Sequence, residues 1–240
     1  MKEFKICIVG NSVALRTRPN LQVPGNKNYT ELLQEELSVK HPEYIFRVEN
    51  KAVGAYTVKN VYQHIDEFIH VFPRVFILNI GVVDACTREV PLWFYRLATN
   101  KSKDLFSVAI SAFYRAVLGK MRPFLVYLRC KRSWVSKRSF RKYYSLVLET
   151  LKKETNSYII ILPISQTTER IEKQLPGSAD NHKKFNALLR ELAHQFDAVM
   201  ISLDDLVPAE HIPDGIHFSR EGHGEVTKKL AGKIAGFLGS

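Results

Sequence analysis

Three apolar runs set the limits on what this chain can become. Lys5 to Val9 enters Gly10, Val75 to Ile80 enters Gly81, and within Ser157 to Ile164 the residues Tyr158, Ile159, Ile160, Ile161 and Leu162 follow without a charged break. Runs of this length, apolar at odd and even positions alike, belong to strands covered on both faces. Tyr44 to Val48 alternates like another strand, and Ala198 to Leu203 makes a fifth. The segments between them are too long for hairpins and repeat their apolar residues at helical spacing. Asn28, with Glu31 three residues on, heads one such segment (Tyr29, Leu32, Leu33, Leu37), and Thr57 heads another (Val58, Val61, Ile65, Phe68). A third runs from about Asn181 to Phe196, and Ser219 can cap the last (Val226, Leu230, Ile234, Leu238). Strands alternating with helices need right-handed crossovers. The prediction is therefore an α/β fold, a five-stranded parallel sheet inside a three-layer αβα sandwich. Residues 1–240 are long enough for one such domain.

Ligands of open parallel sheets sit beyond the carboxyl ends of the strands, and Ser12, Gly54, Gly81 and Asp214 all follow predicted strands. The most informative block is Pro213-Asp214-Gly215-Ile216-His217, just before the terminal helix. An Asp and a His three residues apart can share a turn. Asp214 then accepts from one ring nitrogen of His217 while the other faces a reacting group, which is a base with its orienter. The nucleophile candidate lies at the opposite end of the chain, at Ser12 in Gly10-Asn11-Ser12. Taken singly, each residue has a plainer reading: Gly-Asn-Ser suits any strand-to-helix turn, and Gly54 suits a backbone with positive φ. His223 reads as an exposed helix residue.

Together and in this order, the blocks resemble the SGNH (GDSL-type) hydrolase family, whose first block is Gly-Asp-Ser-Leu after the first strand and whose last is Asp-x-x-His. The resemblance implies a flavodoxin-like SGNH sandwich and a serine esterase-like hydrolase with no metal or organic cofactor. It assigns Ser12 as nucleophile, His217 as base and Asp214 as orienter, and gives the oxyanion to the backbone N–H groups of Ser12 and Gly54. The expected substrate is an ester, foremost an O-acyl (acetyl) group on a carbohydrate or polysaccharide. One block departs from the family. Where Gly-x-Asn-Asp is expected the chain has Gly81-Val82-Val83-Asp84, so an isopropyl group replaces a side-chain amide that should help hold the oxyanion. Arg16, Arg18 and Arg88 are the replacement donors to examine, and Asp84 is expected to brace its loop through Arg88. Two alternatives stay open: an O-acyltransferase using the same triad in polysaccharide biosynthesis, and a non-catalytic binding protein on this fold.

The net charge of +11 is unevenly distributed. Residues 101–153 hold fourteen Lys or Arg against Asp104 and Glu149, a net of +12 that leaves the rest of the chain at −1. The stretch 91–153 is too long for one crossover. It interleaves its cations with aromatic residues such as Trp93, Phe106, Phe113, Phe124 and Trp134, and is expected to form a helical insertion or lid beside the site. A field of that sign attracts an anionic polymer or membrane surface, while no specific nucleic-acid motif is present. Cys7, Cys86 and Cys130 are an odd, widely spaced set without a Cys-x-x-Cys pair, so neither a disulfide framework nor a zinc site is indicated. The first strand begins almost at Met1 with no apolar leader, so the expected compartment is the cytoplasm.

Overall fold

The computed structural model describes residues 2–15, 27–100 and 104–239. Five strands, β1 (Lys2–Gly10), β2 (Tyr44–Asn50), β3 (Val75–Asn79), β4 (Tyr158–Ile161) and β5 (Val199–Met200), form one parallel sheet in the order β2-β1-β3-β4-β5. β1 lies between β2, where Ile8 pairs with Asn50, and β3, where Gly10 pairs with Asn79. The connection from β1 to β2 runs one way across the sheet, and those from β2 through to β5 run the other. Right-handed crossovers therefore place their helices on opposite faces. On one face Tyr29–Lys40 packs against Arg220–Leu238; on the other Lys137–Glu154 packs against Val58–Gln63, Ile65–Ile69 and Ser178–Gln195. The order reverses between β1 and β3, and at such switch points the loops diverge to leave a crevice.

The local signals act as the residues dictate. Asn28 Oδ1 accepts from the Thr30 and Glu31 N–H groups at 3.0 and 3.2 Å, while Glu31 accepts from the Asn28 N–H at 3.1 Å, a reciprocal cap that starts the first helix. Ser219 accepts from the Gly222 N–H at 3.0 Å and starts the last. The helix headed by Thr57 is not continuous: it divides at His64, whose φ of −114° is outside the helical region. In the sheet, Ile6, Ile8, Val75, Phe76, Ile77, Leu78 and Ile160 are fully buried. Each such side chain contributes ~1.5–3 kcal/mol relative to exposure.

The basic stretch 91–153 divides in two. Its last part, Lys137–Glu154, is the crossover helix before β4, and its Phe140, Tyr144, Val147, Leu148 and Leu151 lie in the main core. The inserted part comprises the helices Leu92–Ala98, Leu105–Phe113 (continued by a π turn over Tyr114–Leu118) and Arg122–Leu128. It leaves and rejoins the sandwich at one place, where Thr87 pairs antiparallel with Ser133 and the Arg88 N–H donates to Arg132 O at 3.0 Å. The buried Glu89 fixes it further, accepting from Tyr114 Oη and from Arg122 Nε at 3.1 Å.

Candidate active site

The turn after β1 carries Ser12. Gly10 is dictated by the approach of β3, since a Cβ there would lie 2.8 Å from the Asn79 carbonyl oxygen. Asn11 then caps a single 3₁₀ turn, Ser12–Ala14, its Oδ1 accepting from the Val13 N–H at 3.2 Å. Two further side chains hold the turn through the Ala14 carbonyl: Asn50 at 2.7 Å and Asn28 at 3.3 Å. The same Asn50 accepts from the Ala52 N–H at 3.0 Å, and the Val53 N–H donates to Gly10 O at 3.1 Å, so the loop bearing Gly54 is tied to the end of β1.

The loop before the last helix delivers the other two groups. Asp214 Oδ1 accepts from the Ile216 and His217 N–H groups at 2.8 and 2.7 Å, folding the turn onto itself, and Oδ2 accepts from His217 Nδ1 at 2.7 Å. Gly215 has φ +82°, and a side chain there would collide with Thr168 and Ile171. A carboxylate can only accept, so Nδ1 carries the ring proton and Nε2 is left to accept from the Ser12 hydroxyl, 3.0 Å away. Burial by itself would raise the Asp214 carboxyl, but hydrogen bonds from the His217 ring and from the His217 and Ile216 N–H groups hold it below the ordinary carboxylate value. The result is an ordered Asp214–His217–Ser12 chain spanning 205 residues of sequence, with Asp214 and His217 about one-fifth exposed. An arrangement of this kind can take a proton from the hydroxyl and return it to a leaving group. The Ser12 and Gly54 N–H groups have no hydrogen-bond partner among the described residues.

The remaining candidates fall elsewhere. Val83 is buried in the main core. Asp84 is fully buried, and both of its oxygens accept from the Val58 N–H, at 3.0 and 3.3 Å. It braces the loop after β3 to the helix after β2, with the Val58 amide as partner in place of the expected Arg88. Burial pushes its carboxyl up to about 8, against the pull of the Val58 N–H and the Arg88 charge. Arg88 lies over the Trp134 ring, 4.0 Å from its centroid, and makes no hydrogen bond to Ser12, Gly54 or His217. Arg16 and Arg18 lie outside the described residues.

His223 is a correction: it is buried, not exposed. Its ring stacks on Tyr29 at 5.8 Å, meets Phe218 edgewise at 5.6 Å, and accepts from the Tyr29 N–H through Nδ1 at 3.2 Å. Behind it Asn79 Nδ2 donates to Tyr29 Oη at 2.9 Å. This layer stands directly behind the His217 loop, which Phe218 continues. In the sequence its one signal was that His223 falls three residues before Val226, on the apolar side of the last helix.

The profile of the GDSL-like lipase/acylhydrolase family matches residues 8–224. No curated protein matches the sequence. Among solved structures, a variant of an acetyl xylan esterase from Geobacillus stearothermophilus is 18% identical with a TM-score of 0.63, covering 96% of this chain and 94% of that one. An α/β hydrolase enzyme from the metagenome of Lake Arreo, Spain, is 16% identical with a TM-score of 0.62, covering 95% and 93%.

Proposed function

Because the chain belongs to the GDSL-like lipase/acylhydrolase family, as a serine ester hydrolase of the SGNH type, we propose that Ser12, His217 and Asp214 are its catalytic triad and that it removes acetyl or similar acyl groups from a carbohydrate ester. The observation that carries this reading is the continuous hydrogen-bonded path from Asp214 Oδ2 through both ring nitrogens of His217 to Ser12 Oγ. Ser12 attacks the acyl carbonyl as His217 Nε2 takes the hydroxyl proton. The imidazolium is stabilised by the Asp214 carboxylate, and the proton passes to the departing alkoxide. Water then adds to the acyl-enzyme by the same route in reverse. The tetrahedral oxyanion is held by the Ser12 and Gly54 N–H groups. One such donor is worth ~3–4 kcal/mol of transition-state stabilisation. With Val83 where the family has an amide, this site works with one donor fewer, and turnover on simple esters is correspondingly low. The carbohydrate assignment is supported by the acetyl xylan esterase of the same fold, of which alanine mutants at a serine, an aspartate and a histidine are called catalytic.

A fluorophosphonate probe followed by peptide mass spectrometry is expected to label Ser12. Ser12→Ala and His217→Ala abolish both labelling and hydrolysis of an aryl acetate, and Asp214→Asn falls between wild type and these. Labelling at another serine, or wild-type turnover in Ser12→Ala, overturns the assignment. Release of acetate from acetylated xylo-oligosaccharide, set against an aryl acetate, tests the substrate class.

A further inference from the structure

The helix Leu105–Phe113 is inside out. It contains no charged residue, yet its buried member is Ser107, and the hydroxyl of Ser111 turns inward to donate to Ala98 O at 2.6 Å. The inward positions Ser107, Ile110, Ser111 and Tyr114 follow the i, i+3, i+4, i+7 spacing of one helical face. The opposite face carries Leu105 at 89% exposure, Phe106 at 68%, Val108 at 50%, Phe113 at 51% and Val117 at 40%, with alanines between them. The neighbouring helix Arg122–Leu128 adds exposed Phe124 and Leu128. An apolar face this continuous on a water-facing helix marks a surface that is covered in use.

The charge around it identifies the cover. Residues 92–132 hold nine Lys or Arg against Asp104, and the pairing of Arg122 with the buried Glu89 still leaves a strong positive excess. A second copy of the chain would bring like charges together. A nucleic acid or acidic polysaccharide would satisfy the cations and could stack on the aromatic rings, but it offers nothing to Leu105, Val108, Val117 or Leu128. A bilayer with anionic head groups satisfies both features, acyl chains for the apolar face and phosphates for its basic flanks. No helix among the described residues is long and apolar enough to cross a membrane, so the contact is interfacial. We propose that the inserted helices dock this protein on an anionic lipid surface, with Leu105–Phe113 lying in the head-group plane. Val126 of the adjoining helix packs with Ile171, Leu175 and Ile216, the residue before His217, so the candidate active site is carried next to that surface.

The test is co-flotation of the full chain with vesicles of an equal mixture of phosphatidylcholine and phosphatidylglycerol, with phosphatidylcholine alone as reference. Expected is binding to the mixed vesicles that weakens with salt. It should fall about tenfold or more in Leu105→Ser/Phe106→Ser/Phe113→Ser and about fivefold per residue in Arg115→Gln/Lys120→Gln/Lys131→Gln. Hydrolysis of a soluble aryl acetate stays at the wild-type rate in both variants, which certifies their fold. A protein inactive on that ester would still be read for vesicle binding, with circular dichroism as the fold check, so docking and triad fail separately. The proposal is overturned by no binding to the mixed vesicles, by equal binding to phosphatidylcholine alone, or by binding indifferent to the serine variant. A dimer in solution that the serine variant dissolves, without vesicle binding, overturns it in favour of a second copy.

Discussion

Two helices from the same basic stretch behave as opposites. Lys137–Glu154 has six Lys or Arg in 18 residues yet buries Phe140, Tyr144, Val147, Leu148 and Leu151 completely or nearly so. Leu105–Phe113 has no charge and buries a serine. The charged helix is the core element, and the apolar helix is the surface element. What decides burial is the phase of the apolar residues relative to the sheet. In Lys137–Glu154 they return at positions 140, 144, 147, 148 and 151, one stripe that a sheet can cover while the cations circle the rest of the helix. In Leu105–Phe113 they surround the helix, and the stripe that contacts the protein is fixed by two small hydroxyls that fit close under the inserted helices.

The largest effect that could break this contrast comes from truncation. Phe140 is fully buried against Tyr144 at 5.3 Å and Phe185 at 4.8 Å. Phe140→Ala is expected to cost ~3–5 kcal/mol in chemical denaturation, whereas Phe106→Ser stays within about 0.5 kcal/mol of wild type. Equal losses in the two would mean that Leu105–Phe113 is packed in solution.

Acid and base titrations sharpen the contrast next, because the sandwich buries ionisable groups and Leu105–Phe113 has none. Asp84 is raised from an ordinary 3.8 to about 8. Its contribution to stability is full below pH 3.8 and is lost as pH rises towards 8, and Asp84→Asn should flatten that limb while keeping an acceptor for Val58. His223 is lowered from an ordinary 6.5 to about 4 by burial and by the nearby His217 charge. Its contribution is present above pH 6.5 and is lost as pH falls through 4, a limb that His223→Gln should remove. The two slopes oppose each other between pH 4 and 6.5, so the single variants separate what the wild-type curve conceals. Denaturation midpoints across this range are the measurement, and unchanged slopes in both variants refute the assignments.

The smallest effect concerns the cations themselves. Lys137 and Arg138 occupy the first turn of their helix, where positive charge opposes the helix dipole. Lys137→Gln/Arg138→Gln should raise stability by ~0.3–1 kcal/mol in low salt and leave vesicle binding nearly unchanged. Neutralising Lys131 and Arg132 in the inserted part should do the reverse.

The sheet and its order of elements were legible because β1, β3 and β4 are apolar on both faces, a pattern few other structures tolerate. Ser12 was legible because it falls just after β1, and Asp214 and His217 because their three-residue spacing precedes a capped helix, well beyond β5; the structure joins the three by hydrogen bonds. The boundary of the insertion was not, because Lys and Arg continue unbroken from the inserted helices into the crossover helix, and charge carries no record of which helix reaches the sheet. Long-range polar pairs left no local mark either. Cys86 Sγ lies 3.2 Å from His182 Nε2 across 96 residues, and His182 Nδ1 donates to Ser165 O at 2.9 Å. Burial would raise that thiol, but the adjacent imidazole brings it below its ordinary value. Asp84 is another case: Arg88, four residues on, acts on it through its charge, while the hydrogen bonds to its carboxylate come from the Val58 N–H, 26 residues away.

The neck at Thr87 and Ser133 has a topological consequence. To the sandwich, everything between those two residues is a loop whose ends are already held side by side. Loop-closure entropy grows so slowly that doubling such a loop costs only about 0.6 kcal/mol. The span from Arg88 to Arg132 can therefore lengthen or shorten with little penalty to the sheet or to the Ser12 turn, provided that the packing of Val126 on Ile171, Leu175 and Ile216 is kept. Under the docking proposed above, surface contact and the Ser12–His217–Asp214 site lie in different parts of one chain, and a graft at this neck is the way to exchange the one while keeping the other.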